Sequence, residues 1–395
     1  MTTERDVDLD WLRIAALAVL MAFHAGMPFA AEWGWHLKNA VTSHLMLEWM
    51  YPLSRFRMAL LFVVSGFVTA ATLRDVQSLD WLARRTRRLG VPLLFGVLVV
   101  VPPQVYVERR AAGQWHEGEL LAFWRHAFST GAYPAGDLSW HHLWFLAYVL
   151  LFTLAVAPLL VHWRPAVQVM LARIRARAPG AAWLLLAVMP VLAVQALLLP
   201  WSTGLQNIVD DAAMLWTHGC YFVFGALLHE AQGLRDAICR ARLLWLQVGV
   251  GGWVCINVLR WNGLAPAHSD PVAFGLFTAA VSWVAWASVL ACLGYARAYW
   301  RRDHPWRQPL NDAVFPVYVL HQTITVVLAY CIVPLPDGVG LKFLFTWAAT
   351  LALSLGLYAA FIRPFPTLCL LFGGPVRRQP LSGQPAIRPC TPALD

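Results

Sequence analysis

Charge is what this sequence has least of. Asp, Glu, Lys and Arg make up 13% of the 395 residues, against 59% apolar types, whereas a soluble domain carries about 25% charged residues. The deficit excludes a large soluble domain and reads as an all-α, polytopic membrane protein. Lysine is nearly absent: of 30 basic residues only Lys38 and Lys342 are not Arg. The net charge of +9 is therefore an arginine charge. No aromatic-interleaved basic module accompanies it, so no nucleic-acid partner is expected. Seven Cys lie scattered from Cys220 to Cys390 without a C-x-x-C pair. That pattern argues against a zinc site or a disulfide framework, and no metal is expected.

Other signatures are missing as well. The chain has no Gly-rich nucleotide loop, no G-x-S-x-G elbow, no repeat of fixed period and no inverted pair of Gly/Pro-broken spans. Its leader, MTTERDVDLD, is net acidic, and no small-residue cleavage site follows the first apolar run. That run is expected to stay as a transmembrane helix rather than be removed as a signal peptide.

What is present is a series of ten apolar stretches, near 10–30, 46–73, 89–107, 142–162, 181–200, 212–229, 243–261, 272–296, 310–333 and 341–371. With a cytoplasmic N-terminus, twenty basic residues fall in inner loops and ends and four (Lys38, Arg109, Arg110, Arg125) in outer loops. This positive-inside bias predicts about ten transmembrane helices with both termini cytoplasmic. The 21 Trp fit membrane interfaces. The Pro-rich stretch 374–395 reads as a disordered cytoplasmic tail following a single membrane domain, 1–373.

Six basic residues fall inside or at the ends of spans, where ionisable groups mark function by default. The first span, LDWLRIAALAVLMAFHAG, carries Arg13 and His24. Eleven positions at 100° each come to about 20° past three full turns, so the two share one helix face, about 16 Å apart along the axis. His24 is then the best candidate for a general base, since imidazole titrates near neutrality. In SRFRMALLFVVSGFVTA, Arg55 and Arg57 need anions or polar partners, and Ser65-Gly66 permits close backbone approach. In DWLARRTRRLGVPLLFG, the i, i+3 spacing puts Arg85 and Arg88 on one face, where they can grip a phosphorylated ligand. Topology alone also explains arginines there. In NDAVFPVYVLHQTITVV, His321 lies near the depth of His24, and Asn311-Asp312 sit where a helix cap is expected. His218 is a weaker third histidine. The Trp- and His-rich segment 108–144 is a candidate extracytoplasmic mouth.

These motifs, in this order, resemble the membrane-bound acyltransferase 3 family. The match comprises the Arg…His pair of the first span, RFRMALLFVVSGF, RRTRRLGVP, HHLWFLAYVL and FPVYVLHQ. The resemblance is tighter, through RLGVPLLFG and LWFLAYVLLF, to the branch that contains glucan biosynthesis protein C. It implies an inner-membrane, multi-pass helix bundle that passes an acetyl or succinyl group from cytoplasmic acyl-CoA, bound as donor substrate, to a hydroxyl of an extracytoplasmic carbohydrate. It implies His24 as catalytic, with His321 beside it. Arg13, Arg85 and Arg88 are implied for the donor. On their place in the spans Arg57 and Ser65 are grouped with them as donor-binding residues, and Arg57 with His321 is also expected to shape the cavity or stabilise a developing oxyanion. The arginine cluster equally offers Arg84 with Arg87 as the donor pair. The class outside this family that the same residues allow is a proton-coupled transporter using His24 and His321 as a relay.

Overall fold

Apolar segments of this length satisfy their backbone in hydrocarbon by forming helices, and among the described residues no strand occurs. The computed structural model describes residues 6–73, 79–115, 119–177, 184, 187–199, 202, 208–267 and 269–375. The helices are α1 (Val7–Gly26), α2 (His44–Leu73), α3 (Leu79–Phe95), α4 (Pro102–Ala111), α5 (Leu120–Ala127), α6 (Trp144–Arg177) and α7 (Met189–Leu198). They continue with α8 (Ala212–Glu230), α9 (Gln232–Arg240), α10 (Arg242–Trp261), α11 (Pro271–Tyr299), α12 (Arg307–Ile332), α13 (Val339–Leu357) and α14 (Pro366–Leu371).

Eight helices of the described residues are long and apolar enough to cross a membrane, consistent with a polytopic bundle. Of the other two expected stretches, 212–229 forms α8, a 19-residue helix. The stretch 181–200 falls partly outside the described residues, and Met189–Leu198 of it is helical. The tail expected beyond 373 lies almost wholly outside them. Two boundaries differ from expectation. The last stretch, 341–371, breaks at Pro364 into a long helix ending in a π-helical turn, Tyr358–Ile362, and the short α14. Asn311 and Asp312 are not a cap, because α12 begins at Arg307 and places them one turn inside it. Asp312 there accepts from Gln308 Nε2 at 2.7 Å.

Helix α1 lies at the centre, packed against α2, α11, α12 and α13. Helices α2 and α8 run together most intimately, because glycine faces backbone on both sides of the crossing. A Cβ on Gly66 would stand 1.9 Å from Phe222 O, and one on Gly225 would stand 1.9 Å from Val63 O. The Ser65-Gly66 step thus has the packing role its small size allows. A second device is the π-helical turn Gly96–Val100 between α3 and α4. Its loosened backbone offers carbonyls to other elements: Leu98 O accepts from Trp124 Nε1 at 2.6 Å and Val100 O from Thr323 Oγ1 at 2.7 Å.

Several charges inside the bundle are matched internally. Arg260 reaches Glu48 at 2.8 Å and lies over the Tyr51 ring. The two lysines both fasten the loop between α1 and α2. Lys38 Nζ donates to Met27 O at 2.9 Å and to Ala30 O, while Lys342 Nζ donates to Asn39 Oδ1 at 2.9 Å and Val333 O at 2.8 Å. A compact ammonium with three rotatable donors suits such convergent carbonyls better than a planar guanidinium.

The glycine crossing predicts that Gly225→Val destabilises the bundle by about 3 kcal/mol, the upper range for overpacking. Gly251→Val, where a Cβ meets nothing within 4 Å, leaves it unchanged. Thermal melting of the purified protein in detergent, read by intrinsic fluorescence, distinguishes the two.

Candidate active site

Two large cavities open along α1. The first, of about 1000 Å³, is lined by Arg13, Ser65, Arg85, Arg88, Arg235 and Arg297, with Asp6, Asp10 and Asp312 among them. Arg85 and Arg88 line it together, whereas Arg84 and Arg87, at the same i, i+3 spacing, do not. Arg85 Nη2 reaches Thr69 Oγ1 at 3.4 Å, and its Nε is buried with no hydrogen-bond partner. Arg235 is neutralised by Asp6 at 2.5 Å and by both oxygens of Asp8, the nearer at 2.8 Å. The carboxylates of the α1 N-terminus thus occupy Arg235, and Arg85 and Arg88 face the cavity as its cationic surface.

The second cavity, of about 1120 Å³, is lined by His24, His36, Arg57, His141, His142 and His218, with Trp35, Trp140, Trp144 and Gln322 around them. His24 Nδ1 lies 2.9 Å from His321 Nε2, the two rings stacked at 5.1 Å. His321 is fully buried and lines neither cavity. Its Nδ1 lies 2.6 Å from Tyr318 O, and a carbonyl only accepts, so Nδ1 carries the proton and Nε2 has the lone pair. His24 Nδ1–H must then donate to His321. That leaves the lone pair of His24 on Nε2, the state a general base requires.

Arg57, grouped with the donor-binding arginines on sequence grounds, lies in this second cavity and not in the first. Its guanidinium sits 3.4 Å over the Phe23 ring, Nη1 donates to Leu53 O at 3.1 Å, and Nε is buried without a partner. Among the described residues no carboxylate pairs with it. Arg55 is exposed, over Tyr51 at 4.9 Å.

The cavities meet at two residues. Leu20 of α1 and Tyr318 of α12 line both. Along α1 the lining runs Leu9, Arg13, Leu17 and Leu20 in the first cavity, then Leu20, His24 and Met27 in the second. These steps of three and four residues describe one helix face. Tyr318 is held by a hydrogen bond from its hydroxyl to His142 O, and His142 Nε2 donates to Val319 O at 3.0 Å.

Comparison with known proteins adds the family. The model of the acyltransferase 3 family, an acyltransferase domain, matches residues 6–363. The chain belongs to this family. Members similar to it include glucans biosynthesis protein C of Escherichia coli K12 and of strains SMS-3-5 and O6:K15:H31. Each is 24% identical over 153 residues, 38% of this chain and 37% of that relative. The aligned part is thus little more than a third of the length of those relatives. No solved structure matches.

Within this acyltransferase 3 chain, the sequence motifs account for Arg13, His24, Ser65, Arg85, Arg88 and His321. They do not account for His36 or Glu108, and they assign no role to Gln322, which closes the FPVYVLHQ motif. His36 Nδ1 is hydrogen-bonded to Glu108, Glu108 Oε1 accepts from Tyr133 at 2.9 Å, and Gln322 Nε2 lies 3.0 Å from His36 Nε2. Burial first, then the Glu108 carboxylate, pushes the Tyr133 hydroxyl up to about 12, so it stays a donor. His36 sits in a loop without periodicity, and its only sequence signal is its place between apolar spans. His218 donates Nδ1–H to Met214 O at 2.7 Å and packs on Phe62 and Trp144.

The carboxylate pairing of Arg235 gives a prediction. Asp8 is 3% exposed, and removing one partner of a buried ion pair costs about 3–5 kcal/mol. Asp8→Ala is therefore expected to destabilise the bundle by that order, whereas an Asp8→Ala/Arg235→Met double variant recovers most of it. A double-mutant cycle on thermal melting checks the coupling.

Proposed function

We propose that this acyltransferase 3 protein moves an acetyl or succinyl group from cytoplasmic acyl-CoA to a hydroxyl of an extracytoplasmic carbohydrate, across the inner membrane. The observation that carries the proposal is the single α1 face, with Arg13 in an arginine-lined cavity, His24 in a histidine-lined one, and only Leu20 and Tyr318 shared between them. The arginine bias of the loops supports a cytoplasmic side for the first cavity. There Arg85, Arg88 and Arg13 are suited to the phosphates of the donor by bidentate, charge-assisted hydrogen bonds. The acyl-bearing arm of the donor then reaches past Leu20 and Tyr318 toward His24, over the roughly 16 Å that separate Arg13 from His24 along the helix.

In the second cavity His24 Nε2 takes the proton of the acceptor hydroxyl as its oxygen attacks the thioester carbonyl. His321, bonded to Nδ1, holds the imidazole in that tautomer and shares the positive charge. Arg57, which lines the cavity and has no carboxylate partner among the described residues, is the group to stabilise the oxyanion. Collapse breaks the carbon–sulfur bond, and the proton on His24 passes to the CoA thiolate. The aromatic lining around Trp35, Trp140 and Trp144 is suited to the apolar faces of a sugar. A glucan, the polymer in the similar relatives' name, is the acceptor class we favour.

His24→Ala is expected to lower acyl transfer by about 10²–10⁴-fold, the size of a lost general base, with folding intact. Activity is measured as CoA release from labelled acetyl- and succinyl-CoA with a glucan acceptor in proteoliposomes. Full activity in that variant overturns the base assignment. Label retained on wild-type protein in the absence of acceptor, and lost in His24→Ala, would mark His24 as an acyl carrier. Movement of the glucan without CoA release would favour a transporter instead.

Arg85→Ala and Arg88→Ala are each expected to weaken CoA binding by about 10–100-fold, the worth of one hydrogen bond to a charged group. Arg84→Ala is expected to leave it unchanged. Isothermal titration with CoA separates the two pairs.

A further inference from the structure

At one side of the second cavity, three side chains converge that acyl transfer does not use. His36 comes from the α1–α2 loop, Glu108 from α4 and His141 from the turn before α6, and one ligand atom from each lies within 4.8 Å of the others. The three arrive from segments remote in sequence, and each is held from behind. The His36 loop is fastened by both lysines of the chain. Glu108 Oε1 takes the Tyr133 hydroxyl, leaving Oε2 toward His36. His141 Nδ1 meets Ser139 Oγ at 2.9 Å.

One atom in the group is unaccounted for. His141 Nε2 is buried and has no hydrogen-bond partner. Since Nδ1 is bonded to Ser139, either tautomer leaves Nε2 unmatched, and an unmatched polar atom of this kind costs about 1–3 kcal/mol. The backbone of His141 carries a second cost, a φ of +37°, a region that L side chains rarely adopt. Two costs on one residue, with Nε2 left unmatched among the described residues, favour a ligand for Nε2.

We infer that His36, Glu108 and His141 bind a divalent transition-metal ion of the zinc class at the mouth of the histidine cavity. Two imidazoles and one carboxylate are the donor set that zinc takes with a coordination position left open for water or a hydroxyl oxygen. Magnesium and calcium, which prefer all-oxygen shells, are disfavoured by the two nitrogens. The contacts behind each ligand, Ser139 on His141, Gln322 on His36 and Tyr133 on Glu108, are of the kind that orient metal ligands. When an ion takes both His36 and Glu108, the proton of their hydrogen bond leaves. The positive charge of Arg109, the neighbour in α4, is already committed to Asp137 at 2.8 Å.

The test uses full-length, tag-free protein in detergent, stripped with chelator, without acyl donor or acceptor. Its failure therefore leaves the acyl-transfer reading standing. Titration with Zn²⁺ is expected to saturate at about one ion per chain, and Co²⁺ is expected to give the visible d–d bands of a low-coordinate nitrogen–oxygen site. His141→Ala and Glu108→Gln are each expected to weaken Zn²⁺ binding by about 10–100-fold or more, while His126→Ala leaves it unchanged. Because a ligand variant can fail to fold, zinc K-edge absorption of the loaded wild-type protein supplies a second reading, with backscattering from two imidazoles expected. No saturable Zn²⁺ binding, a zinc shell without imidazole, or equal affinity in a folded His141→Ala variant would each overturn the inference.

Discussion

A polar group inside a bundle surrounded by hydrocarbon must find its partner within the bundle, because no water is there to supply one. Most of this architecture follows from that constraint. Arg260 has Glu48, Lys342 has Asn39 and a helix-end carbonyl, and Arg235 has the carboxylates of Asp6 and Asp8. Each pair joins segments far apart in the chain, so the charges that would be costly alone act as clamps between helices. The polar atoms left over are then informative. Several buried polar atoms have no partner among the described residues, and three of them, Arg57 Nε, Arg85 Nε and His141 Nε2, belong to charged or imidazole side chains lining the two cavities.

Helix α1 organises those cavities. One of its faces passes from arginines to histidines with only Leu20 and Tyr318 at the junction, so a ligand spanning both would lie along a single rigid element. Precision at the histidine end comes from backbone, not from side-chain packing alone. Tyr318 O fixes the tautomer of His321, and His321 fixes that of His24. The His24 nitrogen left with its lone pair is thus specified by a carbonyl on α12, three residues before His321, on a helix whose start lies nearly three hundred residues beyond that of α1.

Much of this was legible in the sequence. The deficit of charge, the long apolar runs and the alternation of arginine-rich loops specified a helical membrane bundle, and eight of ten expected spans stand among the described residues at membrane-crossing length. The i, i+3 spacing fits Arg85 with Arg88 and Arg84 with Arg87 alike, and only the folded cavity took the first pair. Helical periodicity put Arg13 and His24 on one face, a local relation that 3.6 residues per turn decides. Gly66 was legible for the same reason: a small residue in an apolar helix has a close neighbour as its ordinary use.

What only the tertiary structure decided are the relations between segments with no local spacing to betray them. The sequence could set Arg57 among the donor-binding arginines; the packing of α2 against α1 turned it toward His24 instead. It could note that His24 and His321 share a depth, but not that they touch or which nitrogen is left bare. His36 and Glu108 lie in no quoted motif, and HHLWFLAYVL, which holds His141, says nothing of the other two, since a loop, a helix end and a distorted turn have no common period; only the folded bundle brings their ligand atoms within 4.8 Å. Periodicity determines which residues share a face of one helix, and packing alone determines which faces share a cavity.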